Sequence, residues 1–142
     1  MTLADEGGRH TALMDRLVLT ALHTPVLHSM LDHGLCQLRY RGRRTGRPVT
    51  LPVQYARHGA DVVVYVAGAG AKTWWRNFAA PYPVEVDVRG ERYIGIGRAV
   101  RSGSADRVRV SEVYRGQHPR VRIAVGDPFL HIALLPDREC RP

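Results

Sequence analysis

Arginine side chains are concentrated in one short stretch of this chain. Arg39, Arg41, Arg43, Arg44 and Arg47 fall within nine residues, and no acidic residue lies among them. Guanidinium groups bind phosphate and carboxylate groups bidentately, and each such hydrogen bond contributes about 1.5–3 kcal/mol net. Because crowded like charges repel one another unless something neutralises them, the stretch predicts a binding site for an anionic ligand.

Arginine also dominates the basic residues of the whole chain, which offers a second interpretation. Lys72 is the only lysine among the 21 lysine and arginine residues, so some of the five arginines could be solvated residues without a ligand. The net charge of +8 admits three kinds of partner: an anionic cofactor, nucleic acid or an acidic membrane surface.

Two segments with alternating apolar side chains flank the arginines, and each alternation predicts a β-strand. The first covers residues 35–40 and the second covers residues 48–57. Gly42, Gly46 and Pro48 punctuate the connection between them. A short loop of this kind brings guanidinium groups and backbone N–H groups around one small volume.

The remaining pattern predicts a mainly β domain. Further strands are expected at residues 61–67, 83–89, 92–101 and 129–135, and helices at 9–23, from Thr24 to Gly34, and at 104–115 with Ser104 as the N-cap. Short spacing and tight turns favour an antiparallel barrel of about six strands with N-terminal helices and one or two short peripheral helices. We expect one domain over residues 1–142, with a frayed stretch at 1–8, a helical segment at 9–33 and the barrel at 35–135.

A second stretch, residues 67–80, could hold the flat part of a ligand. Small residues follow the strand predicted at 61–67, and Trp74, Trp75 and Asn77 then begin a short helix. Small residues let a ring lie against the backbone, tryptophans could wall it, and Asn77 could bind the ring edge or tie down the loop. The alternative is that one or both tryptophans plug the end of the barrel.

Motifs for other chemistries fail when they are compared with the chain. Residues 68–73 lack the glycines of a P-loop, and residues 95–97 lack the third glycine of a dinucleotide fingerprint. These glycines instead indicate bends or close backbone approach. No serine lies in GxSxG, no carboxylates are paired for acid–base work, and no CxxC or HxxxH pair suggests a metal. Catalytic residues therefore stay unknown, and the chemistry would have to come from a bound cofactor.

The location of the protein is predicted from its cysteines and its N-terminus. Cys36 and Cys140 are typical of free thiols in a reducing compartment. The first ten residues lack the features of a signal peptide, so we expect none, and no apolar run in the sequence is long enough to span a membrane. We expect a cytoplasmic monomer or homodimer whose residues 9–33 either pack on the domain or contact a membrane surface peripherally.

The two stretches together resemble a known family. GRRTGR at 42–47, followed by WWRNFAA at 74–80, is similar to the deazaflavin-dependent nitroreductase/quinone reductase family. That family belongs to the FMN-binding split-barrel superfamily and is related in fold to pyridoxamine phosphate oxidases. The resemblance extends in layout over residues 9–135 and is sharp over 42–47 and 74–80. It implies a split β-barrel with a cofactor groove.

The resemblance also implies a cofactor, coenzyme F-420, and the residues that would hold it. Its phosphate would be bound by Arg43, Arg44, Thr45 and Arg47, with Gly46 in the same loop. The deazaflavin ring would lie on Thr50, Leu51 and Pro52, with backbone contacts from Ala67, Gly68, Ala69 and Gly70. Trp74, Trp75 and Asn77 would form the far wall. Lys72 would replace a lysine that better-known members carry earlier, in a loop that is longer than GAGAKT.

The implied reaction is hydride transfer from reduced coenzyme F-420 to an electron-poor small molecule, a quinone or a nitro compound. One alternative is a non-catalytic or carrier member of the same fold that holds FMN, deazaflavin, haem or a fatty acyl group. Another is a small basic barrel that binds RNA or single-stranded DNA. We expect no nucleic acid partner, because aromatic residues make up only 7% of the chain and stacking platforms are therefore scarce.

Overall fold

The computed structural model describes residues 34–136. Six strands dominate this part of the chain: β1 (Leu35–Arg41), β2 (Pro48–His58), β3 (Asp61–Tyr65), β4 (Tyr82–Val88), β5 (Glu91–Val100) and β6 (Phe129–Leu134). Two 3-10 turns, Ala69–Ala71 and Trp74–Phe78, lie between β3 and β4, and one helix, α1 (Arg107–Gln117), lies between β5 and β6. The helical segment predicted at 9–33 and the frayed stretch at 1–8 lie outside the described residues.

The strands close into a barrel in the order β1-β2-β3-β6-β5-β4, and every neighbouring pair is antiparallel. β1 pairs with β2 on one side and with β4 on the other, which completes the circle. Closure satisfies the backbone groups that an open edge would leave unpaired. The prediction of a mainly β fold with about six antiparallel strands is confirmed.

Alternating side chains place the core inside the barrel. On β4, Val84, Val86 and Val88 are buried, whereas Glu85 and Asp87 lie on the outer face, as the alternation predicted. The same rule holds on the first two strands, whose residues inside the barrel core are Cys36, Leu38, Tyr40, Leu51, Val53 and Tyr55. Removal of this apolar surface from water is the main force that holds the strands together.

The barrel has one end built of loops and one end built of tight turns. Because neighbouring strands are antiparallel, the connections 42–47, 66–81 and 101–128 gather at the same end. At the opposite end, Arg89 and Gly90 have φ of 51° and 83°, as the mirror-image turn of a β-hairpin requires. The loop end therefore collects both stretches that carried the functional prediction.

Helix α1 begins and ends later than the predicted 104–115. The N-cap is Asp106 rather than Ser104, and the helix covers Arg107–Gln117. The Ser104 hydroxyl accepts a hydrogen bond from the Asp106 N–H at 3.4 Å, so this serine stabilises a turn ahead of the helix. Gly116 lies inside the last turn, where glycine is tolerated at a modest cost. Val110 and Tyr114 face the barrel wall and fix the helix there.

Candidate functional site

The loop between β1 and β2, residues 42–47, is called the cationic loop below. Gly42 N–H donates to the Arg47 carbonyl, and Gly46 N–H donates to the Gly42 carbonyl, both at 2.8 Å. Gly46 has a φ of 69°, which glycine adopts without strain. The Thr45 hydroxyl accepts from the Arg47 N–H at 3.2 Å, and Arg41 donates to the Gly46 carbonyl at 3.0 Å. The loop is thus a compact unit with a fixed backbone.

Arg43 ties the cationic loop to the second 3-10 turn. Its backbone N–H donates to Asn77 Oδ1 at 2.7 Å, and its Nε donates to the Asn77 carbonyl at 3.1 Å. Its Nη2 donates to the carbonyls of Ala80 and Pro81, both at 3.3 Å, and the guanidinium lies 4.5 Å from the Tyr82 ring centroid. Arg43 therefore directs its donors to protein carbonyls and holds two loops together.

Arg44 and Arg47 differ from Arg43 in their surroundings. Both are exposed, and no other residue within 34–136 forms a hydrogen bond or ion pair with either guanidinium. Arg39, which the sequence grouped with them, lies instead on the outer face of β1 and pairs with Asp87 at 3.1 Å. The other ion pairs of this region also lie outside the cationic loop. The positive charge of the loop is therefore not neutralised by any residue that the structure describes.

The second 3-10 turn is anchored in the core by Phe78. Phe78 is fully buried, its ring meets the Tyr40 ring edge-on at 5.0 Å, and it lies against Gly97 of β5. Asn77, next to it, donates from Nδ2 to the Trp74 carbonyl at 2.8 Å. Asn77 therefore uses its amide to tie down the loop, one of the two roles that the sequence suggested, because both ends of the amide meet protein groups.

The two tryptophans have different environments. Trp75 is 5% exposed, packs against Val66 and Ala69, and donates its indole N–H to the carbonyls of Ala69 and Lys72, both at 3.1 Å. It plugs the space between the loop and the barrel. Trp74 is partly buried and packs against both the barrel core and the Trp75 cluster. Of the pair, Trp74 is the one with side-chain surface left for a ligand.

The loop after β3 is held by an acid that sequence analysis did not single out. The Asp127 carboxylate accepts from the N–H groups of Gly68 and Ala69, both at 3.2 Å, and from the Tyr65 hydroxyl at 2.8 Å. These bonds, led by that from Tyr65, hold the pKa of Asp127 below its ordinary value. Gly68 has a φ of 65°, and β3 accordingly ends at Tyr65 rather than at the predicted residue 67.

The residues predicted beneath the ring do not share one surface. Leu51 is buried in the barrel core, whereas its neighbours Thr50 and Pro52 are half-buried and pair with Arg39 and Gln37 of β1. The same distinction applies after β3, where Ala67, Gly68, Gly70 and Lys72 are exposed but Ala69 is buried. Side-chain contacts with a ligand are therefore open to Thr50, Pro52 and Lys72, and Leu51 supports the site from inside.

Other features of the described region lie elsewhere. A cavity of about 300 Å³ at the turn end of the barrel is lined by residues that include Arg57, Tyr93 and Leu134, none of them a predicted site residue. Within residues 34–136, no three histidine, cysteine, aspartate or glutamate side chains are grouped closely enough to hold a metal. No helix in this range is long and apolar enough to cross a membrane.

A family model described as F-420H(2)-dependent quinone reductase matches residues 21–122. This match covers more than half of the chain. The chain belongs to this family. The match includes the cationic loop, the second 3-10 turn and the cross-connection that Arg43 makes between them. No curated protein matches the chain in sequence.

Solved structures share the fold of this family member. The FAD and heme binding protein from Mycobacterium smegmatis is 18% identical with a TM-score of 0.51, and the alignment covers 77% of this chain and 65% of that one. HupZ of Group A Streptococcus is 14% identical with a TM-score of 0.50, and the alignment covers 79% of this chain and 89% of that one. At these identities the likeness shows the split-barrel fold alone, and the chain spans just under two thirds of the first protein.

The structure brings most predicted site residues to one end of the barrel. The cationic loop, the loop after β3 and the second 3-10 turn meet there through Arg43, Asn77 and Trp75. Asp127 joins the same end from the segment before β6 and was missed. Its only signal in the sequence is the turn pattern Gly126-Asp127-Pro128, which predicts a bend and no partner.

Proposed function

We propose that this protein is an oxidoreductase that binds coenzyme F-420 at the cationic loop. The reduced cofactor, when bound, would supply a hydride to an electron-poor small molecule, a quinone or a nitro compound. The observation that carries the proposal is the state of Arg44 and Arg47, two exposed guanidinium groups without a described partner on a loop with a fixed backbone. Membership of the F-420H(2)-dependent quinone reductase family supports the same cofactor.

The residues present fit the anionic part of that cofactor. Arg44 and Arg47 offer guanidinium donors to a phosphate, and Thr45 keeps its hydroxyl proton available because its oxygen accepts from Arg47 N–H. Arg43 would support the phosphate site without binding the phosphate, since its side-chain donors are bonded to the carbonyls of Asn77, Ala80 and Pro81. Its contribution is to keep the loop in place, and it adds positive charge without direct contact.

The flat part of the cofactor would lie beside Trp74, the half-buried tryptophan at the start of the second 3-10 turn. Lys72 is exposed in the adjoining loop, two residues before Trp74, and adds a cation on this side of the site. We assign no catalytic side chain, because the described site offers no acid or base aimed at a free volume. The protein's role would be to bind and orient, and the acceptor would have to approach from the solvent side of the loops.

A carrier function is the second candidate, because the fold is shared with the FAD and heme binding protein from Mycobacterium smegmatis. Haem iron is commonly held by histidine. Two of the three described histidines are engaged within the protein: His118 bonds to the Tyr55 carbonyl at 2.6 Å and His131 to Asp61 at 2.7 Å. The third, His58, lies at the end of β2, at the turn end of the barrel. None of the three belongs to the cationic loop. FMN carries a phosphate that the arginines could bind, so FMN is the alternative cofactor that an experiment must separate.

Alanine substitutions in the cationic loop test the proposal. We expect Arg44→Ala and Arg47→Ala each to weaken coenzyme F-420 binding at least tenfold, about 1.4 kcal/mol, with little change in thermal stability. Arg115→Ala is the matched control: it removes the same charge from an exposed position on α1, so its dissociation constant should stay near that of the unmodified protein. Fluorescence titration with the oxidised cofactor measures all three. Unchanged affinity in both loop variants would refute phosphate binding by this loop.

A further inference from the structure

One carboxylate occupies the backbone donors of the loop after β3. The Asp127 Oδ1 accepts from Ala69 N–H and the Oδ2 from Gly68 N–H, both at 3.2 Å. Two consecutive N–H groups that converge on one carboxylate form an anion-binding nest. In this protein the nest is filled by the chain's own acid, which lies 58 residues further along from Ala69.

The acid is itself fixed from two sides. The Tyr65 hydroxyl donates to Asp127 Oδ2 at 2.8 Å and accepts from the Ala124 N–H at 2.8 Å. The Arg107 guanidinium, from the first turn of α1, donates to the carbonyls of Asp127 at 2.5 Å and Ala124 at 3.1 Å. Asp127 is therefore held at the end of β3, its carboxylate by the strand residue Tyr65 and its backbone carbonyl by Arg107 of the helix.

A continuous set of contacts leads from this acid to the cationic loop. Ala69, whose N–H meets Asp127, accepts the Trp75 indole N–H at its carbonyl. Trp75 belongs to the second 3-10 turn, and Asn77 of that turn binds both the backbone and the side chain of Arg43. A displacement of Ala69 would therefore move the turn to which the cationic loop is tied.

We propose that Asp127 is a positioning residue for the cofactor site. Its carboxylate sets the loop after β3 and, through Ala69 and Trp75, the turn that anchors Arg43. The inference rests on the proposed function and deepens it. One consequence follows for the ligand: the N–H groups of Gly68 and Ala69 are already bound, so the cofactor meets this loop through other atoms. Of the backbone contacts predicted between this loop and the ring, those through the N–H groups of Gly68 and Ala69 are therefore excluded.

The sign of the charge effect makes the proposal testable. After the hydrogen bond from Tyr65, the charge of Lys72 is one of the causes that keep the pKa of Asp127 below its ordinary value, and deletion of the negative charge beside this cation would by electrostatics alone strengthen the binding of an anion. A positioning role predicts the opposite. We expect Asp127→Ala to weaken coenzyme F-420 binding at least tenfold. Asp127→Asn should rescue part of the loss, because its amide oxygen still accepts one N–H.

Asp106→Ala is the matched control. Asp106 is also an acid whose pKa lies below the ordinary value, here through its hydrogen bond with Arg98 at 2.6 Å, but it touches neither the loop after β3 nor the second 3-10 turn. Its loss should leave the cofactor affinity equal or slightly stronger. Tyr65→Phe, which removes one bond to the Asp127 carboxylate, should give a smaller loss than Asp127→Ala and serves if that variant does not fold.

Titration of these variants with oxidised coenzyme F-420, under conditions where circular dichroism shows them folded, separates the outcomes. A graded loss in the order Tyr65→Phe, Asp127→Asn, Asp127→Ala, with Asp106→Ala unaffected, supports the proposal. Unchanged affinity in the Asp127 and Tyr65 variants, or an equal loss in Asp106→Ala, overturns it while the proposed function stands. If the unmodified protein does not bind coenzyme F-420, the proposed function fails and takes this inference with it.

Discussion

At the residue scale, the arginines of one stretch take different roles because of what lies opposite them in the fold. Arg39 forms an ion pair on the barrel wall with Asp87, and Arg43 donates to backbone carbonyls near Asn77. Arg44 and Arg47 stay exposed. The arginine stretch was visible in the sequence. The different roles of its arginines were not, because Asn77, the partner of Arg43, lies 34 residues away.

Cys36 shows how burial changes the chemistry of a residue. Its side chain faces the barrel core at 4% exposure, and burial, followed by the charge of Asp87, raises the pKa of the thiol from 9.0 to about 12. The thiol is therefore neutral in the folded state up to strongly alkaline pH. Below pH 9 it is protonated in both the folded and unfolded states, and its contribution to stability is fully present. Between pH 9 and 12 the unfolded chain loses the proton first, so this contribution falls as the pH rises.

Denaturation at two pH values tests this. In a Cys140→Ser background, the free energy of unfolding should fall between pH 8 and pH 10 by about 1 kcal/mol more in the protein with Cys36 than in the Cys36→Ala variant. The comparison removes the contribution of tyrosines, including Tyr114, whose pKa is also raised by burial to about 12. An identical pH dependence in the two proteins would show that the Cys36 thiol ionises equally in both states.

At the element scale, the second 3-10 turn packs closely on β5 because Gly97 of that strand has no side chain. A Cβ added at Gly97 would lie 2.8 Å from Phe78 Cδ1, closer than carbon atoms approach. The sequence predicted a bend or a close backbone approach for this glycine, and in the structure it is the Phe78 side chain that approaches it closely. Phe78 also meets the rings of Tyr40 and Tyr82 edge-on. The packing of Phe78 on Gly97 fixes the turn that carries Asn77 and, through Asn77, the cationic loop.

We predict that Gly97→Ala lowers the free energy of unfolding by about 1–3 kcal/mol, as overpacking in a core usually does, and weakens cofactor binding by shifting the turn. The matched control is Gly116→Ala in α1, where an added Cβ meets nothing within 4 Å. Alanine is the better helix former, so this variant should be as stable as the unmodified protein or more stable. Urea denaturation measures both. A Gly97→Ala variant with full stability would contradict the described packing.

The elements differ in how far the sequence could predict them. The strands were predictable because the alternation of apolar and polar residues is a local feature of the sequence, as Val84, Val86 and Val88 show. The start of α1 and the end of β3 were not. Each boundary is set by a hydrogen bond outside the element. The Asp106 N–H donates to the Ser104 hydroxyl ahead of α1, and the Gly68 N–H donates to the Asp127 carboxylate after β3. Asp127 was missed because a lone acid before a proline gives no periodic signal.

At the scale of the whole molecule, the loop end of the barrel carries cations that have no described ion pair. The ion pairs of residues 34–136 lie on the barrel wall and against α1, whereas the loop end presents Arg44, Arg47 and Lys72 without a described ion pair. A positive surface at one end attracts anionic ligands and orients them as they approach. Assembly as a monomer or homodimer and a cytoplasmic location stay predictions from the sequence.

The central claim is that this loop end binds coenzyme F-420. The most direct measurement is a fluorescence titration of the purified full chain with oxidised coenzyme F-420 and, in parallel, with FMN at the same salt concentration. The account predicts saturable binding of coenzyme F-420, with a dissociation constant lower than that for FMN. Binding of FMN alone would contradict the proposed cofactor while leaving the fold intact. Failure to bind either would contradict the proposed function of the cationic loop.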